Sequence, residues 1–239
     1  MTKDLLWRGM LAGVLAALLA TLFARVFAEP HIDLAIAFEA AHQAHHLGHA
    51  EPIELVSRAT QQGIGLLTAL ALYGAAVGGI FSLVFAYGYG RLVRIGPRSF
   101  ALALAMLAFV VLVVTPGIKY PQTPPAVGRH ETVGLRTAAY FGMMFLSVAA
   151  AIIALKLGAV FARSVRGFDA ALLAVGSYVL LTAVGQLLLP AVNEVPADFP
   201  ATVLWDFRLA ALASQLVLWA TIGLAFGRWA ARRLERARR

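Results

Sequence analysis

The chain has 239 residues, of which 61% are hydrophobic and 13% charged, about half the charged share of a soluble domain. Its mean hydropathy is +0.80, and its apolar residues gather in blocks of about 20, the length that crosses a ~30 Å hydrocarbon core as helix, which excludes an ordinary soluble enzyme. A net charge of +8 would suit nucleic acid, but the basic residues lie in short loops and a terminal tail, where membrane topology accounts for them; no cysteine is present, which removes disulfides, thiolate metal ligands and iron–sulfur clusters together.

In chain order the apolar runs cover residues 5–28, 63–89, 99–115, 137–160, 170–189 and 209–229. They predict an all-α, polytopic integral membrane protein with a single transmembrane domain of six helices in three hairpins. All ten prolines fall outside these runs or at their edges, where helices stop, so no helix is expected to carry a proline in its interior. Fourteen of the twenty Lys and Arg residues flank the termini and the turns near Arg94 and Arg166. By the positive-inside rule both termini are cytoplasmic, and the three other loops face out from the cell's inner membrane with all six histidines. The first run reads as a retained span and not a signal peptide, because Val26-Phe27-Ala28 lacks the small-x-small cleavage pattern.

Each hairpin's second helix opens near an arginine, Arg58, Arg136 or Arg208, and snorkelling to the headgroups is the expected role. The spacings Gly9-x3-Gly13, Gly74-x3-Gly78 and Gly223-x3-Gly227 offer small faces for close helix packing, within the chain or between subunits.

The outer loop 29–62 carries the densest chemistry. Pro30 suits the first turn of a new helix, and the Ala-rich stretch to Leu47 favours helix before Gly48 stops it. On that helix Glu39, His42 and His46 share a face, with His45 and His49 beside it. With His31 and Asp33 they form a candidate metal set, since imidazole and carboxylate together suit cobalt, nickel, zinc or copper and disfavour the all-oxygen ions magnesium and calcium. The bland alternative is an amphipathic surface helix with solvated histidines.

Within the spans polar residues are few. Gln186 and Gln215 are the candidates to line a path, against a plain interhelical hydrogen bond. His130 and Glu131 in the second outer loop, with Glu194, Asp198 and Asp206 in the third, are candidate mouth residues. The four methionines within the spans are expected to pack as apolar side chains, the adjacent pair Met143-Met144 being the one that a soft-metal path could use. No histidine lies inside a span, which excludes a buried bis-His haem. No G-x4-GK[ST] sequence occurs, so the chain itself is not expected to bind ATP through a P-loop. A divalent cation entering down a membrane potential gains about 4.6 kcal/mol per 100 mV, enough to drive uptake unaided.

The outer segments EPHIDLAIAFEAAHQAHHLGHAEPIELVSRATQQGIG (29–65), KYPQTPPAVGRHETVGLRTAAYF (119–141) and LPAVNEVPADFPATVLWDFRLAALASQ (189–215) resemble the CbtA family, the membrane subunit of a predicted cobalt transporter, and the resemblance extends over essentially the whole chain. It implies cobalt uptake linked to cobalamin synthesis beside a small single-span CbtB-type subunit with its own histidine-rich end, and it assigns no residue roles. The resulting expectation is a non-enzymatic, multi-pass inner-membrane transport subunit, working with such a partner or as a homo-oligomer in the lipid bilayer. Rival readings are a membrane metal sensor or assembly scaffold, and a membrane enzyme with an outer-face metal.

Overall fold

Long runs of Ala, Leu, Val and Phe fold as helices, which pair most backbone donors and acceptors within the same segment, the arrangement hydrocarbon demands. The computed structural model describes residues 2–45, 65–92, 95–125, 127–128 and 132–236, the side chains of 42–45, 66–67 and 236 excepted. Its helices are α1 (Thr2–Phe27), α2 (Glu29–His45), α3 (Leu66–Gly88), α4 (Pro97–Lys119), α5 (Val133–Phe161), α6 (Gly167–Leu188) and α7 (Ala201–Arg236). Six of them, all but α2, are long and apolar enough to cross a membrane; the shortest such stretch, 21 residues, is ~32 Å long as helix. No strand occurs among the described residues.

The chain divides into two compact units, residues 1–108 with 202–239, and residues 109–201. In the first, α1 and α3 pack through paired glycines. A Cβ on Gly13 would lie 1.8 Å from the Gly74 carbonyl oxygen and one on Gly78 would lie 2.0 Å from that of Gly9, so no side chain fits at either contact. Gly223 and Gly227 of α7 rest likewise against Ala105 and Ala101 of α4. The three glycine pairs therefore pack helices inside one chain. Phe81, Phe85, Phe100 and Phe226 fill the centre, the Phe85 and Phe226 rings edge-on at 5.0 Å. At one end Asp4 accepts from Arg233 at 2.9 Å and Arg8 donates to the Trp229 carbonyl at 2.9 Å, so the outermost turns of α1 and α7 meet.

In the second unit α5 packs on α6, where Gly158 and Gly185 admit Ala174 and Leu146. α4 departs from expectation. Its helix runs through Pro116 to Lys119 instead of stopping at Thr115, and it does so by a π-helical turn over Val110–Val114. The Thr115 N–H bonds to the Val110 carbonyl, one residue further back than in an α-helix. That register would give the Val111 carbonyl to residue 116, which as proline has no N–H. An interior proline is tolerated in a membrane helix when a neighbour takes up the freed carbonyl, and here Ser147 of α5 donates to it at 2.7 Å.

α7 begins eight residues before the apolar run, at Ala201, because Ala, Leu and Arg favour helix beyond the hydrocarbon. Asp206 and Arg208 therefore stand on a helix and not in a loop.

Candidate functional site

At the end of the first unit away from Asp4 and Arg233, α1 passes into α2 through the single residue Ala28, whose carbonyl accepts from the N–H groups of His31 and Ile32. This tight junction folds the start of α2 beside the first turns of α7. A cavity of about 300 Å³ opens there, lined by Phe23, Phe27, His31, Asp206, Leu209, Ala210 and Ala213. Ala210 and Ala213 are small, which leaves the room, and the Phe23 and Phe27 rings lie 4.5 Å apart on one wall. His31 Nδ1 is buried and makes no hydrogen bond, a state that costs about 1–3 kcal/mol when no partner arrives. One expected metal ligand and one expected mouth residue thus share a single cavity.

The remaining members of the histidine set are less gathered. Asp33 is exposed and Glu39 half-buried on α2. The backbone of His42 and His45 belongs to α2, while their side chains, and all of His46 and His49, lie outside the described residues. Among the described residues no three His, Asp or Glu side chains converge on one point.

In the second unit the expected mouth resolves differently. Glu194 is 9% exposed, accepts a hydrogen bond from Thr132, and pairs with Arg136 at 2.5 Å. Arg136 is therefore the ion-pair partner of the carboxylate expected to line the mouth. Gly128 packs against this pair. Lys119 donates to the Gln186 carbonyl, one of the last carbonyls of α6 that the helix leaves without a donor. The buried Tyr120 hydroxyl donates to the Pro190 carbonyl at 2.7 Å, and burial pushes its phenol above the ordinary value, so it remains a donor. Asp198 is exposed; His130 and Glu131 lie outside the described residues. Gln186 and Gln215 are both half-buried.

The polar cluster that sequence reasoning missed stands at the π turn. Tyr178 Oη lies 2.6 Å from Thr115 Oγ1 and 2.8 Å from Ser147 Oγ, and Ser147 completes the chain to the Val111 carbonyl. Ser147 and Thr115 are buried. The available signal was Pro116 itself, since a proline within reach of an apolar run leaves a carbonyl that some hydroxyl must meet.

Compared with known families, the sequence matches over residues 2–231 the one described as probable cobalt transporter subunit (CbtA). The chain belongs to the CbtA family. No curated protein and no solved structure matches it.

Membership makes this chain a cobalt transporter subunit in a multi-pass membrane protein, with cobalt as the cargo and at least one other subunit implied. For a CbtA chain the donor chemistry is informative. Among the described residues, the cavity brings together the His31 imidazole and the Asp206 carboxylate, whereas the π turn gathers the hydroxyls of Thr115, Ser147 and Tyr178.

Proposed function

We propose that this CbtA chain takes up cobalt(II) across the inner membrane for cobalamin synthesis, collecting the ion on the outer His/carboxylate segment 29–62 and passing it inward together with a small CbtB-type subunit. Orientation follows from charge: the Asp4 and Arg233 end carries the arginine-rich tail and faces the cytoplasm, and His31 lies ~40 Å along the α1–α2 path from it. One observation carries the reading. α2 continues α1 with one intervening residue, so the first histidines are held on helix next to a span and not on a slack loop. Capture on helix fixes ligand spacing, and the membrane potential supplies the inward force, about 4.6 kcal/mol per 100 mV for a divalent ion. The chain is a conduit and collector, with no bond-making step asked of it.

The test replaces His42, His45, His46 and His49 together with glutamine, which keeps polarity and removes the ring nitrogens. Radiolabelled cobalt uptake by cells expressing this variant should need more external cobalt for half-maximal rate, with the maximal rate less affected. Unchanged concentration dependence would remove the segment from the mechanism.

A further inference from the structure

The cavity between the α1–α2 junction and α7 offers a specific chemistry. His31 presents a buried ring nitrogen without a hydrogen-bond partner, and Asp206, exposed at the rim, brings a carboxylate to the same 300 Å³ space. A water occupies ~30 Å³, so the space holds an ion that keeps several of its waters. Imidazole nitrogen with carboxylate oxygen is a donor pair for borderline divalent ions, whereas magnesium or calcium would leave the imidazole unused.

We propose that His31 and Asp206 are the two protein ligands of a relay site for a hydrated divalent first-row transition-metal ion at the entrance to this unit. The proposal rests on the uptake reading above and deepens it by naming where the ion goes next. Two protein donors hold such an ion more loosely than the three or four of a resident metal site, and loose holding is what transit requires, because an ion must leave as readily as it enters. The cavity is open on one side, with Phe27 and Leu209 about half exposed, so an arriving ion keeps its waters there while His31 Nδ1, itself buried, and Asp206 at the rim supply the protein donors.

The experiment is equilibrium dialysis of radiolabelled cobalt(II) against the full chain purified in detergent, in a background where His42, His45, His46 and His49 are glutamine. One weak site should remain. H31Q or D206N should each weaken it about tenfold or more, since changing even residues behind metal ligands costs 10–100-fold, and the double variant should bind little worse than either single one because both serve one ion. Asp206 is exposed, so D206N preserves the fold; Ala213→Leu, which adds bulk to the cavity lining at a position that supplies no ligand, should also abolish the site. Binding unchanged within twofold in H31Q and D206N would overturn the relay. Uptake separates the two ideas. Cells that take up cobalt with the same half-maximal concentration in wild type, H31Q and D206N refute the relay and leave the uptake reading standing. A site lost in both variants of a chain that transports nothing, alone or with its partner, supports the site and refutes uptake.

Discussion

Replacing Ser147 with alanine removes the hydroxyl that, among the described residues, stands in for the missing Pro116 N–H. Ser147 is fully buried, and its hydroxyl donates at 2.7 Å to the Val111 carbonyl and lies 2.8 Å from Tyr178 Oη. Tyr178 keeps Thr115 at 2.6 Å, so the loss concentrates on the carbonyl. An orphaned buried acceptor costs about 1–3 kcal/mol, and the methyl-sized space left by the hydroxyl adds little. The same account says why the cost should depend on residue 116. With Pro116→Ala the N–H returns and the ring clash goes, so the Val111 carbonyl regains a helical donor whichever register the turn adopts. Ser147→Ala should then cost about 1 kcal/mol less, a coupling well above the ~0.3–0.5 kcal/mol scatter of independent sites. Equilibrium unfolding of the four proteins in mixed micelles, followed by far-UV circular dichroism, measures the cycle. Additive effects, or a Ser147→Ala cost near zero beside Pro116, would refute the link between proline, π turn and serine.

Gly13→Leu places a side chain where even a Cβ meets the Gly74 oxygen at 1.8 Å, so folded protein should be lost from detergent extracts by size-exclusion chromatography, whereas Gly176→Ala, with open space around it, should raise stability by up to ~1 kcal/mol. Arg136→Met removes the counter-ion of the Glu194 carboxylate and should lower stability by about 1–2 kcal/mol, less than a fully buried pair because Arg136 is 35% exposed and Thr132 still donates to Glu194; adding Glu194→Gln should restore part of it in the same unfolding assay. Imidazole binds metal when neutral and titrates near ~6.5 in the absence of perturbation, so cobalt capture by the histidine segment should weaken as pH falls from about 7.5 to 5.5, and the four-glutamine variant should keep only the smaller dependence of the weak site that retains His31. Because the chain has no cysteine, single cysteines at Ala50, Gln122 and Ala197 should react with an impermeant thiol reagent from outside the inner membrane while one at Ser164 should not; the reverse pattern would put the histidines in the cytoplasm.

Span number and helical class were legible because hydrocarbon imposes them: a block of about 20 apolar residues has few other uses. Helix ends were less so, since α7 continues past its apolar run at both ends on helix propensity alone, carrying Asp206 out of the expected loop. Glycine spacing announced close packing, but Gly9 and Gly13 find Gly78 and Gly74 only through the antiparallel register of α1 on α3. Pro116 was read as a stop because local rules make it one, and the serine that lets the helix continue belongs to another helix 31 residues on, counted from Pro116 to Ser147. Charge type alone likewise could not say that Glu194 would be neutralised by Arg136, or that His31 and Asp206 would line one cavity; both depend on tertiary approach.

Uptake of radiolabelled cobalt into cells expressing this chain, with and without the proposed CbtB-type subunit and with the membrane potential intact or collapsed, tests the central claim most directly. The account predicts accumulation that requires the chain, is largest with the partner present, and falls to equilibrium when the potential is collapsed. Accumulation equal to that of cells lacking the chain, in the presence of the partner and an intact potential, would contradict it.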